Sequence, residues 1–230
     1  TLQILFLLLL FSLPAPCRTI TSSYSYHEQT SEEGKDFSWD LQEEGGQVVI
    51  TATGNGESFV NVCTPDGATL SWTMQLGEET DIRGTRTGET ISLQGRLHGE
   101  MITRRLSIDS RPWFQPLSFS LRSLIQQGEN QKSFWTIRSD TLEPVAMEAT
   151  LLGIEAVEIS GQTVEAWRVE IRQDGFFAAL WSASYWFRTS DNVFVQYRGA
   201  HGIPGTPETC VTLCTADPID HSPGRLGTLP

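Results

Sequence analysis

The residues able to do chemistry are spaced badly for it. Two carboxylate pairs, Asp140 with Glu143 and Glu155 with Glu158, could be nominated for glycoside hydrolysis. That reaction needs two carboxyls flanking a sugar cleft at a defined separation, and a solvated strand edge accounts for these acids better. The four His (His27, His98, His201, His221) lie far apart, mostly in turn-like contexts, and His98 sits beside a turn glycine in HGE. No G-x-S-x-G elbow occurs, and no glycine-rich phosphate loop with a lysine. Cys210 and Cys214 could recruit His201 and His221, but the spacing H-x8-C-x3-C-x6-H matches no zinc-finger pattern. The sequence therefore supplies no catalytic residue, no metal ligand set and no cofactor motif, and the expectation is a protein that is not an enzyme.

The elements that would position any site are short alternating strands. The stretch Thr163 to Gly199 reads as three of them, with Trp167, Val169 and Ile171 alternating on the first, a turn at Asp174-Gly175 and another at Ser190-Asp191-Asn192. Such alternation lays one apolar face on a core and one polar face toward water. The same idiom fills the rest: 20–29, 36–42, 47–53, 57–63, 68–76, 80–87, 89–97 and 101–108, then 132–139, 144–152 and 154–160, the last two separated by Gly153. Thr64-Pro65-Asp66-Gly67 is a turn in which Pro65 presets φ and Gly67 tolerates the left-handed region. Only Pro116 to Gln127 changes period, with Leu117, Leu121, Leu124 and Ile125 at helical spacing, Pro116 suited to the first position and Gly128 just past the end. A dozen or so strands with one helix predict a mainly β fold, a large curved antiparallel meander (half-barrel or barrel) with the helix packed on the concave face. The core face of the helix is expected to be Leu117, Leu121, Leu124 and Ile125.

Composition and the termini bound the rest. The 230 residues contain no obvious linker, so one domain over 18–213 is expected. Eleven Phe, seven Trp and four Tyr suit sheets. A net charge of −12 repels phosphate backbones and argues against nucleic-acid binding. Leu2 to Leu13 is almost wholly apolar and is followed by Pro14-Ala15-Pro16-Cys17. A run this short suits a secretory signal over 1–17, without a basic flank, rather than a span of about 20 residues, so the expectation is an exported, periplasmic or envelope-associated protein that is not integral to the membrane. Lipid anchorage at Cys17 is the lesser expectation, because Pro16 fits a small-residue cleavage site poorly. In an oxidising compartment Cys210 and Cys214 form either a local disulfide, if a turn lies between them, or two free thiols. Residues 214–230, rich in Pro and Gly, are expected to be a poorly ordered tail.

Two segments together, QPLSFSLRSL and YWFRTSDNVFVQYRG with the following GIPGTPET, resemble a family of exported bacterial envelope proteins, the domain of unknown function numbered thirty-one oh eight. The resemblance covers roughly 20–213. It implies a curved antiparallel sheet wrapping a helix, like the periplasmic lipoprotein-carrier half-barrels, and it carries over no catalytic residue.

From the residues, the aromatic load suggests what such a sheet holds. Trp39, Trp72, Trp135 and Trp167 each lie in an alternating apolar set, where they either fill the core or, with Leu121, line a cavity for a lipid acyl chain or another apolar molecule. A different reading, a structural or protein-interaction module of the envelope, uses Trp186 and Phe194 beside Arg188 and Arg198 as an exposed patch for an envelope partner. The register decides which faces these occupy. A three-residue loop Ser190–Asn192 with Asn192 at positive φ pairs Tyr185 with Tyr197, Trp186 with Gln196, Phe187 with Val195, Arg188 with Phe194 and Thr189 with Val193, making Tyr185, Phe187, Val193, Val195 and Tyr197 the core face.

Overall fold

The structure is a computed structural model that describes residues 20–31, 33–175, 181–200 and 208–218. The expected signal over 1–17 and residues 219–230 of the expected tail lie outside the described residues. Strands β1 (Ile20–Gln29), β2 (Gly34–Glu44), β3 (Gln47–Gly54), β4 (Glu57–Cys63), β5 (Thr69–Leu76), β6 (Thr80–Thr87), β7 (Thr90–Leu97) and β8 (Glu100–Ser107) form one continuous meander. After the short helices α1 (Leu117–Ser120) and α2 (Arg122–Gln127) come β9 (Gln131–Ile137), β10 (Pro144–Ile159), β11 (Gln162–Gln173), β12 (Ser182–Arg188), β13 (Phe194–Ala200) and β14 (Glu208–Pro218). All fourteen strands pair antiparallel in one open, curved sheet, in the order β8 to β1 followed by β14 to β9. The first and last strands therefore lie side by side in the middle of the sheet, through Tyr26 opposite Leu213 and Gln29 opposite Cys210. The two edges, β8 and β9, are consecutive in the chain, and the helical segment that joins them lies on the concave face. Among the described residues no helix is long and apolar enough to cross a membrane.

The helix is less regular than its periodicity suggests. It breaks into pieces of four and six residues at Leu121, and neither has a side-chain cap. Helices this short are held by packing rather than by propensity. Leu121 and Leu124 are fully buried, and Leu117 and Ile125, partly buried, pack against the same large core cluster, which also holds Phe134, Val169 and Phe187. Pro116 stands one position earlier than expected, as the residue preceding α1, while Gly128 closes α2 in the left-handed region at φ 66°. The β4–β5 turn fastens the helix to the sheet: Ser120 Oγ donates to the Gly67 carbonyl at 2.6 Å. Gly67 sits at φ 88°, and a Cβ there would stand 2.7 Å from the Ser120 Cα.

Three expected boundaries change. Residues 144–152 and 154–160 are one strand, β10, because Gly153 at φ 122° lies at a register shift, not a turn. An extra residue in one strand bends it without ending it. The chain beyond Gly199 returns as β14, where Thr209, Val211 and Leu213 are buried, so ordered strand runs past the expected limit at 213. Because 210–214 is strand, Cys210 and Cys214 are both free thiols. The β12–β13 loop has four residues rather than three: Arg188 N donates to Val193 O at 2.8 Å, and Thr189 N turns to Glu165 O at 3.1 Å. Asn192 does take φ 57°, and Tyr185 faces Tyr197 and Trp186 faces Gln196. A bulge at Val195 then pairs Phe187 with Phe194 instead of with Val195. Since one extra residue swaps every later side chain to the other face, Phe194 joins the concave core, with its ring centroid 5.3 Å from Tyr26 and 6.1 Å from Trp39.

Two substitutions test how the helix is held. Leu121→Ala, at a residue with 0% exposure, is expected to cost about 2–5 kcal/mol in chemical denaturation. Gly67→Ala is expected to cost about 1–3 kcal/mol from the positive φ alone, and more from the approach to Ser120. A loss of under about 0.5 kcal/mol, the scatter of surface substitutions, would mean that the turn does not hold the helix.

Candidate functional site

The concave core is not continuous. One cluster gathers β1, β9–β14 and the helix around Tyr26, Phe134 and Phe187. A second packs Trp72, Ile82, Ile91 and Leu93 against Trp113, whose ring lies 3.2 Å from where a Cβ on Gly84 would stand. A third joins Leu41, Val48, Ile50 and Cys63 to Phe119 of α1. Where the three meet, a cleft of about 590 Å³ opens between β2–β5 and the start of the helix.

Period-two alternation builds its walls. Phe37 and Trp39 on β2, Ala52 and Ile50 on β3, Phe59 and Asn61 on β4, and Leu76 and Trp72 on β5 each line the cleft, from the end near the β3–β4 turn inward. Pro116, Leu117 and Tyr185 line its other side. Burial lifts the Tyr185 phenol well above its usual pKa of 10.0, with Tyr197 adding to the effect. The outer end carries charge: Lys35 Nζ lies 3.5 Å from Glu28 and 3.4 Å from Glu57, and Asp36 stands beside them. Glu28 and Glu57 against one ammonium leave this rim net negative. Asp36 also receives His27 Nδ1 at 2.7 Å.

One polar side chain interrupts the walls. Across the sheet the concave row reads Leu41, Ile50, Asn61, Trp72, Gly84, Leu93. Asn61 is 5% exposed, and its Oδ1 has no hydrogen-bond partner. A buried acceptor left without a donor costs about 1–3 kcal/mol.

The structure separates the residues nominated from sequence. Trp39 and Trp72 line the cleft, while Trp135 and Trp167 do not. Trp135 stands at the β9 edge, donating from Nε1 to Asp109 at 2.8 Å under the Arg111 guanidinium 4.6 Å from its ring. Trp167 pairs with Phe187 in the large core. Leu121 is core, and Leu117, one turn earlier, meets the cleft instead. Asn61, Phe59 and Trp113 had no place among the nominated residues. Trp113 and Phe114 lie in RPWFQP, where no period announces burial, although two prolines bracketing two aromatics are a signal of a fixed crossing.

The patch expected from Trp186, Phe194, Arg188 and Arg198 is not an exposed apolar surface. Phe194 is turned inward by the bulge, and Trp186 is 6% exposed. The end of the β10–β11 hairpin bends over the outer face of β12–β14: Ser160 Oγ donates to Leu213 O at 3.3 Å, and Val157 and Ile159 are buried there. Trp186 Nε1 donates to Glu155, with Arg168 5.5 Å over its ring. Arg188 is held by Asp191 at 2.6 Å, and only Arg198 remains open to solvent. The nominated carboxylate pairs also fall apart. Glu155 is engaged with Trp186 and Arg168, and Glu158, an odd number of residues along the same strand, points to the other face. Asp140 is clamped by Arg138, which lowers its pKa. Among the described residues no group of three or more His, Cys, Asp or Glu could hold a metal ion. Burial pushes the Cys63 thiol up to about 12, which leaves it protonated and inert at neutral pH.

An open antiparallel sheet curved around a short helical crossover, with a cleft between them, defines the architecture. Solved structures align with it to different degrees. A beta-barrel-like protein of the domain of unknown function DUF1849 from Brucella abortus aligns with a TM-score of 0.59 at 10% identity, over 87% of this chain and 98% of that one. The hypothetical lipoprotein YmcC from Escherichia coli aligns at 0.37 and 12% identity, over 86% of each chain. A LolA superfamily protein from Nitrosomonas europaea aligns at 0.27 and 8% identity, over 94% of this chain and 89% of that one. The first likeness establishes a shared fold; the other two are partial overlays. No family model and no curated protein matches the sequence.

The rim makes a pH prediction. The hydrogen bond to Asp36, then that to Gln29, raises the His27 pKa above 6.5. A group whose folded pKa is raised stabilises fully below its unfolded pKa and loses that contribution as pH rises through the folded value. The pair is solvent-exposed, so the effect is small. An NMR titration of the His27 ring should show a midpoint above 6.5 that falls back toward it in Asp36→Asn; equal midpoints would mean that the contact does not hold in solution.

Proposed function

We propose that the protein is an exported, non-enzymatic carrier that binds an apolar ligand, a lipid chain or a lipidated partner, in the cleft between β2–β5 and the helix. The observation that carries this reading is the cleft itself: a volume of about 590 Å³, within the roughly 300–1,000 Å³ of small-molecule sites, walled by Phe37, Trp39, Phe59, Trp72, Leu76 and Leu117. The apolar run Leu2 to Leu13 supports export to the envelope. The net-negative rim and the overall charge of −12 favour a neutral or cationic head group over an anionic one at the mouth.

Binding of the neutral fluorescent probe N-phenyl-1-naphthylamine tests the site. It should saturate at one equivalent, and Ala52→Trp, which fills the cleft from the β3 wall, should weaken it at least tenfold while the Tm stays within a few degrees. Non-saturable binding, or equal binding by the variant, sinks the carrier reading. Crosslinking in intact cells that captured one defined envelope protein would then favour an interaction module.

A further inference from the structure

We infer that the ligand carries a hydrogen-bond donor, a hydroxyl or an amide N–H, within its apolar portion, and that Asn61 receives it. The inference rests on the carrier reading and specifies the chemistry of its ligand. Asn61 stands in a row otherwise apolar from Leu41 to Leu93, between Ile50 and Trp72. A valine or leucine would complete that row, whereas an amide with an unpartnered oxygen in it is destabilising. Asn61 also lines the cleft, and its terminal torsion is broad and two-fold, so a small rotation turns the amide toward a bound molecule.

The position fixes where on the ligand the donor lies. Glu57, at the charged rim, and Asn61 are four residues apart on β4 and share a face, with Phe59 between them. At about 3.4 Å per residue, Asn61 sits roughly 13–14 Å inside the rim. A head group held at Lys35, Glu28 and Glu57 does not reach it, so the donor belongs to the chain. A hydroxylated acyl chain, or a chain joined through an internal amide, has that form. A plain hydrocarbon chain bound there leaves the amide unsatisfied.

Titration calorimetry or tryptophan fluorescence with three methyl esters tests this. Methyl 12-hydroxyoctadecanoate, whose hydroxyl lies at the depth of Asn61 when its ester stands at the rim, should bind wild-type protein about tenfold tighter than methyl octadecanoate, the order expected for one buried hydrogen bond with its unpaired group relieved. Methyl 12-oxooctadecanoate, which accepts but does not donate, should bind like the plain ester. Monooctadecanoylglycerol, whose hydroxyls are all on the head group, should gain nothing. Asn61→Leu should erase the preference for the hydroxyl and raise the Tm. Equal binding of the hydroxy and plain esters overturns the inference while leaving the carrier reading intact. Tight binding of the oxo ester overturns the donor, and tight binding of the glyceride overturns its placement in the chain. If no ester binds, the carrier reading itself fails.

Discussion

The pairing of β1 with β14 governs the rest of the structure. Because the first and last strands lie side by side, the sheet cannot end at the chain termini, and its two free edges fall at β8 and β9. These edges are consecutive in the chain, so the connection between them must cross the concave side. That connection carries the helix. The sheet has too many twisted strands to lie flat, and its curvature gives the crossing segment an apolar surface to cover. Thr69 N donates to Trp113 O and Trp135 N to Pro112 O, at 2.7 and 2.8 Å, which tie the crossing to strands from both halves. Arg104 of β8 reaches the Thr141 carbonyl beyond β9 at 2.7 Å. The seam is thus bridged by side chains and loops but is not closed by a ladder.

A crossing of this length covers a curved face unevenly. Near β6 and β7 the aromatic ring of Trp113 fits over Gly84, where the absence of a Cβ makes room, and the packing is complete. Over β9–β12 the helix supplies Leu121 and Leu124 and seals the core. Over β2–β5 it supplies only α1, whose Phe119 clusters with Leu41, Val48, Ile50 and Cys63. The cleft is what remains uncovered. Its walls expose aromatic faces toward a space that water fills at a free-energy cost, and an apolar occupant removes that cost without any change in the sheet.

Much of this fold was legible from alternation, and the failures have physical causes. Strand existence follows from period two because each strand has one face on the concave core, and the order of turns follows from Gly, Asn and Asp. The positive φ at Gly67 and Asn192 is read directly from residue type. Bulges escape such reading: Leu152, just before Gly153, and Val195 are each one extra residue that alternation counts as a break or as a face. The Val195 bulge moved Phe194 from a supposed surface patch into the core. β14 escaped because β1, one of its two partners, is distant in sequence, and three alternating residues, Thr209, Val211 and Leu213, say little until their neighbours cover them. At the site, aromatic residues could be nominated by type, but core and cleft tryptophans have the same local pattern. Only the course of the helix across the concave face, which leaves β2–β5 partly uncovered, separates Trp39 and Trp72 from Trp135 and Trp167.

The two faces of the sheet explain why binding belongs inside rather than outside. Trp186 looks from sequence like a contact residue because it alternates with charges. Yet β10 and β11 extend beyond their neighbours, and the bend after Gly153 folds their tip across the outer face. Glu155 then satisfies the indole nitrogen, Arg168 stacks on the ring, and Val157 and Ile159 cover the strands beneath. The outer face there has therefore already found its apolar cover within the chain. The inner face over β2–β5 has found only a partial cover, from the start of the helix and Tyr185 of β12. A sheet that covers its outside with its own hairpin and leaves an aromatic furrow open on its inside directs any apolar partner to the concave side.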